Sequence, residues 1–313
     1  MTVSVLRSDD AWWVQTAAGA ARIDTEAVTT AELLADRGAV DAAATPGRPV
    51  VPVDRLTLRS PITAPCRVVA QMTNFRSHIT DSGMNPDTVP LTFFRKSSGS
   101  LSGPFDDIRR PGHVCFLDYE VEIGVVIGTP IPVGTAIDER DLSRYVAGLV
   151  VTNDVSARDV QLPKTQFYES KSYPTFTPAG PALVLLDAAE LGRFADLRLR
   201  LTVNGEARQD SVVGADMVFR PAAALQALAR FQRLDPGDVL LTGTPGGTAL
   251  SAPAKPVELL GSLLPPALRW KVFFKRQAGN RKYLRAGDVI EAGVGTDDGA
   301  IVLGTQRTVV RDA

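Results

Sequence analysis

The sequence predicts a β-rich α/β protein, with a strand-dominated main body and a small N-terminal domain. Two observations lead there. From Pro61 onward, short apolar runs closed by Gly, Pro or Asp recur, among them EVEIGVVIG, VAGLVVTNDV, PALVLL, LRLRLTV, DVLLTGTP and DVIEAGV, and runs of this length between turn residues are strand signals. Helical periodicity, by contrast, is scarce and follows no regular strand–helix alternation. With 313 residues, 44% of them hydrophobic, the chain is long enough for one large domain or two unequal ones around a substantial core.

In chain order, residues 1–60 read as strands at Val3 to Arg7, Trp12 to Gln15 and Ala21 to Ile23, then a helical stretch near Thr30 to Ala35 and a proline-containing connection from Pro46 to Pro52. This small N-terminal domain carries no recognisable chemistry. The second domain, 61–313, has its clearest helix at Pro221 to Phe231, where Leu225, Leu228 and Phe231 recur at three-residue spacing after a proline start. The phrases LDPGDVLLTGTPGG (234–247) and LRAGDVIEAGVGTDDG (284–299) each enter a strand through a Gly-Asp turn. Between them an insertion at about 250–285 holds four of the seven lysines, Lys255, Lys271, Lys275 and Lys282, and a single acid, Glu258. A solvated basic face is the plain expectation there, and a lid or subunit-contact element the sharper one.

Charge and composition exclude several classes. Thirty-four basic against 35 acidic side chains give a net charge of -1, without the excess that phosphate neutralisation demands, so no nucleic-acid partner is expected. Cys66 and Cys115 are too few for a disulfide framework. The N-terminus (MTVSVLRSDDAWW) has no basic-then-apolar leader pattern, and no apolar run reaches the ~18 residues of a membrane span, so a cytoplasmic protein without membrane association is expected. With His78 and His113 the only histidines, a His-rich zinc site is not expected, and any metal should be held by carboxylates.

The most informative segment is Leu117 to Gly128, LDYEVEIGVVIG. In a strand, residues i and i+2 share a face, which sets Glu120 beside Glu122, with Asp118 in the same row. Buried carboxylates this close repel unless a cation neutralises them, and Mg²⁺ or Ca²⁺ takes oxygen ligands. A solvent-facing strand produces the same pattern without a metal. The segment VVTNDVSARDVQ adds Asp154 where an apolar strand ends; there it serves either as a third ligand or as a helix N-cap. Arg158 and Gln161 follow on the next turns.

Taken together, N-F-R-x-H (Asn74 to His78), F-x-K-x-x (Phe94 to Ser98), D-Y-E-V-E (118–122), N-D-V-S-A-R-D-x-Q (153–161), K-S-Y (171–173), V-N-G-E-x-R-Q (203–209) and G-D-V-L-L-T-G-T-P (237–245) resemble the fumarylacetoacetate hydrolase family, over about residues 66–310 and in that family's order. The resemblance implies a mixed β-sheet roll and a homodimer. It implies Mg²⁺, Mn²⁺ or Ca²⁺ on Glu120, Glu122 and Asp154, and a catalytic lysine at Lys171. Substrate would be bound by Arg76, Arg158, Gln161 and Thr244. His78 matches the catalytic histidine, and its acidic partner, usually Glu, is here Asp81.

The function so implied is a metal-dependent hydrolase cleaving a carbon–carbon bond in an acylpyruvate or 2,4-dioxo acid. In it, His78 and Asp81 activate water while the metal stabilises the departing enolate. The alternatives are an oxaloacetate-type 2-oxo acid decarboxylase or isomerase on the same site, and a non-catalytic binder of metal and 2-oxo acid. The segment Thr80 to Val89 is expected to form a lid.

Overall fold

The computed structural model describes residues 2–165, 167–252 and 265–313; Lys255 and Glu258 of the insertion lie outside the described residues. At its centre is the strand Val121–Ile127, buried along its whole length. It pairs antiparallel with Val146–Asn153 on one side and with Val239–Leu241 on the other. Its odd-numbered residues, Val121, Ile123, Val125 and Ile127, enter the larger hydrophobic core, which they share with Leu197, Leu199 and Leu201 of the second large sheet. Val126, on the opposite face, joins a separate core with Val68, Ala70, Val150 and Leu241. The two-residue period of the strand therefore sends Glu122 to the face away from the second sheet.

The fold is a mixed, strand-rich α/β architecture. Its ten-stranded sheet runs, in spatial order, Val50–Val51, Gly19–Arg22, Trp12–Thr16, Val3–Arg7, Leu183–Leu185, Val146–Asn153, Val121–Ile127, Val239–Leu241, Val68–Gln71 and Phe93–Lys96. A five-stranded sheet, Glu206–Val212, Leu197–Val203, Val289–Thr296, Val302–Asp312 and Ile108–Arg110, faces it across the larger core. Most pairings are antiparallel, but Val239–Leu241 runs parallel to Val68–Gln71. The strands of residues 1–60 continue the large sheet, since Val3 pairs with Leu185 and Val5 with Leu183. The helix Thr30–Ala35 starts at a capping box, in which Thr29 accepts from the Glu32 N–H and Glu32 bonds back to the Thr29 N–H.

One helical expectation changes, and one helix was not expected. The proline-initiated helix ends at Leu228, and Phe231 lies beyond it, 64% exposed; its three-residue spacing from Leu228 was not a packing signal. Within the insertion, Pro266–Gln277 forms a helix of 12 residues, the longest among the described elements. Its aromatic side chains pack in a chain, with Trp270 against Phe274 and Phe274 against Phe116, which in turn meets Tyr283. Among the described residues no helix is long and apolar enough to cross a membrane.

Candidate active site

The register between two central strands assembles the acidic site. Val121 lies opposite Asn153 and Glu122 opposite Thr152, so one step further along the same antiparallel ladder Glu120 meets Asp154. The Asp154 N–H donates to the Glu120 carbonyl at 2.8 Å, and the Asn153 side-chain oxygen accepts from the Glu120 N–H at 2.9 Å. Residues 120, 122, 152 and 154 then share one face, and Glu120, Glu122 and Asp154 each offer a carboxylate oxygen within 4.8 Å of the others. All three are buried. Asp154 caps no helix: the following helix, Arg158–Lys164, begins after Ala157 without a side-chain cap.

The surrounding charges are incompletely balanced. Lys171 donates to Glu120 and to Asp154, at 2.6 Å each. Lys96, also buried, bonds Asp154 and the Phe176 carbonyl. Arg158 bonds Asp118 and Glu120. Asp118 stands outside the acidic triad: it takes up Arg158 Nε and the N–H groups of Tyr119, Ala249 and Leu250. Four carboxylates thus face three cations, and Glu122 has none of its own; its described partner is the Gly243 N–H, at 2.7 Å. Burial, reinforced by Asp154 and Glu120, holds the Glu122 carboxyl well above the usual range. Burial also opposes charge on Lys171, but Asp154 and Glu120 outweigh it and keep the ammonium protonated. A donor set of three buried carboxyl groups, one of which has no cation beside it among the described residues, fits a hard divalent cation.

Gly243 is required where it is. It sits at φ +83°, and a Cβ there would come within 2.8 Å of the Asn74 Cβ. Asn74 itself is held by the Thr242 and Phe219 carbonyls.

These groups open onto a cavity of about 840 Å³ whose wall includes Glu120, Glu122, His78, Arg158, Gln161, Lys171 and Thr244. The structure therefore brings together eight of the ten residues expected from sequence, counting Asp154 through the acidic triad. Arg158 lines the cavity with its guanidinium engaged by Asp118, Glu120 and Gln161. Thr244 likewise donates to the Val121 carbonyl and accepts from Gln209. Arg76 is exposed and paired with Asp87 at 2.9 Å, away from the cavity wall.

His78 and Asp81 are not joined. Both lie on the helix Arg76–Asp81, but the Asp81 carboxylate is exposed and accepts from the Gly247 N–H at 3.2 Å. His78 is buried in the cavity wall and its Nδ1 has no hydrogen-bond partner among the described residues. Burial lowers its pKa, against the pull of Glu120, and favours the neutral ring. Gln71 Oε1 and Thr73 Oγ1, in the same wall, are also without partners among the described residues. Sequence reasoning missed both, along with the role of Lys96, which it met only as part of the F-x-K-x-x motif.

The model of the fumarylacetoacetate (FAA) hydrolase C-terminal domain matches residues 67–311. The chain belongs to the fumarylacetoacetate hydrolase family. Every residue of the acidic site falls inside that match. Among proteins of the family, the chain is similar to the oxaloacetate tautomerase Fahd2a, mitochondrial, of Rattus norvegicus, with 37% identity over 203 residues, 64% of this chain and 63% of the rat protein. It thus spans about 63% of that relative's length. The fumarylacetoacetate hydrolase domain-containing protein 2 homolog of Dictyostelium discoideum is 32% identical over 219 residues, 67% of this chain and 69% of that protein. Among solved structures, a probable 2-hydroxyhepta-2,4-diene-1,7-dioate isomerase from Mycobacterium abscessus aligns over 100% of this chain and 99% of its own, with TM-score 0.75 and 31% identity. The fumarylacetoacetate hydrolase of Exiguobacterium antarcticum covers 100% of both chains with TM-score 0.73 and 26% identity.

Proposed function

We propose that this protein is a divalent-metal-dependent tautomerase or isomerase of an oxaloacetate-type 2-oxo acid. It would move a proton between carbon 3 and the oxygen on carbon 2. The observation that carries this reading is the separation of His78 from Asp81, which leaves a lone imidazole in the cavity where water activation calls for a dyad. The names of the relatives, an oxaloacetate tautomerase and an isomerase, point the same way. This favours the isomerase alternative over hydrolysis of an acylpyruvate.

Glu120, Glu122 and Asp154 would hold Mg²⁺, Mn²⁺ or Ca²⁺, which supplies Lewis-acid stabilisation of enolate charge. Lys171 and Lys96 hold the ligand carboxylates in place and lower the negative potential that an anionic substrate meets. Arg158 fixes Glu120 and Gln161 in orientation through one N–H of each terminal nitrogen, which leaves the second N–H of each for substrate. The neutral His78 ring takes the carbon 3 proton on Nδ1 and returns it to the carbon 2 oxygen; no group leaves and no atom is gained. The Thr73 hydroxyl can donate to the substrate carboxylate, and Gln71 Oε1 can accept from the enol hydroxyl. The free cysteines support action in a reducing compartment, and the family resemblance supports a homodimer.

The test follows the ultraviolet absorbance of enol oxaloacetate diluted into buffer. The expected result is decay accelerated by protein with Mg²⁺ or Mn²⁺, abolished by EDTA and accompanied by no carbon dioxide. Acylpyruvate cleaved to a carboxylic acid and pyruvate, with enol decay unaffected, would restore the hydrolase reading.

A further inference from the structure

The cavity has two unlike halves. Its floor carries the acidic triad and the polar residues around it. The rest of its wall is mainly apolar, from separate segments: Met84 beyond the His78 helix, Phe94, Phe167, and Trp270, Val272 and Phe273 on the insertion helix, which also brings Arg269, Arg276 and Gln277 to it. Phe94 and Phe167 stack with ring centroids 5.1 Å apart, and Lys171 sits 5.2 Å from the Phe94 centroid, so the aromatic wall begins at the catalytic floor. On the helix, Trp270, Phe273, Phe274 and Gln277 fall at i, i+3, i+4 and i+7, one face of the cylinder. Phe274 anchors that face on Phe116 at 5.0 Å, and the Asn280 side chain bonds the Ala249 carbonyl at 2.9 Å just past the helix end. Trp270 and Phe273 are left to line the cavity, while Lys271 and Lys275 are exposed.

Two of these wall residues are uncovered: Met84 is 41% and Val272 50% exposed. Apolar side chains gathered around a concavity above a polar site signal a ligand that covers them. The volume agrees. About 840 Å³ lies toward the upper end of the roughly 300–1,000 Å³ of drug-sized ligand sites, well beyond what a small diacid such as oxaloacetate fills.

We infer that the insertion helix Pro266–Gln277 is a specificity element, and that the preferred substrate is a 2-oxo acid bearing a bulky apolar group, such as an aromatic ring, beyond its reacting carbon. This rests on the tautomerase reading of the same site and shifts its preferred substrate from a small diacid such as oxaloacetate to an apolar 2-oxo acid. The Arg269 guanidinium lies 5.4 Å from the Trp270 ring centroid.

The experiment compares the enol decay of phenylpyruvate and oxaloacetate, with Mg²⁺, in the wild type and in the Trp270→Ala, Phe273→Ala and Trp270→Phe variants, each checked for an intact melting transition. Phenylpyruvate is expected to have at least a tenfold higher kcat/KM, on the order of what a filled apolar pocket contributes. Either alanine variant should lower the phenylpyruvate-to-oxaloacetate ratio about tenfold, mainly through KM, and Trp270→Phe should restore most of it. A ratio unmoved by both alanine variants overturns the inference, as does a preference for longer dioates that Arg276→Ala removes. Binding is read separately. Trp270 is one of three tryptophans, and the other two lie in the strand Trp12–Thr16. If no 2-oxo acid turns over but phenylpyruvate quenches Trp270 fluorescence more tightly than oxalate, the tautomerase reading fails and the apolar chamber stands. If oxaloacetate turns over and phenylpyruvate does not quench, the reverse holds.

Discussion

The Lys171 ammonium donates to Glu120 and to Asp154 at the same distance, 2.6 Å, so that one buried cation bridges two of the three candidate metal ligands. Removing one partner of a buried ion pair costs about 3–5 kcal/mol, because the remaining charge is left uncompensated. Lys171→Met is therefore expected to lower the melting temperature markedly in EDTA and to recover part of the loss on addition of Mg²⁺. Differential scanning calorimetry with and without metal checks this; an unchanged transition in EDTA would contradict the bridging role.

Glu122 presents the opposite case, a buried carboxyl group facing two other carboxylates and paired with no cation of its own among the described residues. Glu122→Gln removes the repulsion between them and keeps an oxygen for the Gly243 N–H. The metal-free protein should gain about 1 kcal/mol, while affinity for Mn²⁺ falls by at least about tenfold. Calorimetric titration and a thermal melt on the same sample read the two signs together, and stability and affinity lost in parallel would refute the argument.

Gly243→Ala places a Cβ where the backbone is left-handed and the Asn74 Cβ stands 2.8 Å away. The strained backbone alone costs on the order of 1–3 kcal/mol. Since the same residue's N–H orients Glu122, metal affinity should fall as well. Chemical denaturation gives the first quantity; a variant as stable as wild type would mean that the turn relaxes freely.

His78→Ala and Asp81→Asn separate the two chemistries. An isolated imidazole acting on the substrate proton makes His78→Ala costly, about 10²-fold or more in kcat, and Asp81→Asn nearly neutral. If the two variants lose activity equally, the histidine and aspartate act as a unit and hydrolysis regains its footing.

Burial, with Asp238 nearby, pushes the Cys66 thiol up to about 12, whereas Cys115 is exposed. The thiolate is the nucleophile, and at pH 8 Cys66 is protonated in the folded chain. A chromogenic disulfide reagent should modify one thiol per native chain at that pH and the second only on unfolding. Two fast equivalents would show that the Cys66 region opens readily.

The acidic site was legible because it depends on short-range rules. The two-residue period of LDYEVEIGVVIG put Glu120 and Glu122 on one face, and the motif around Asp154 supplied the third carboxylate. What was hidden depends on distant partners. Nothing local to FFRK indicates that Lys96 would pair with Asp154, and nothing in the His78 helix indicates that Asp81 would turn to Gly247. The insertion was harder still, since its lysines and arginines dominate the composition and mask the aromatic stripe of Trp270, Phe273 and Phe274. Phe231 failed for the opposite reason: regular spacing continued past the point where the helix had ended.

The pairing of Val3–Arg7 with Leu183–Leu185 has a bearing on biosynthesis. This strand has one neighbour close in sequence, Trp12–Thr16, and on its other side must wait for a segment translated far later, with the entropy of a very long loop to be overcome before that edge closes. Until then the nascent chain presents an open, apolar strand edge of the kind that invites wrong partners. Premature termination or a slow stretch of translation before Leu183 would be expected to leave a species prone to association, with the first strands of the sheet formed and their interior neighbour not yet made.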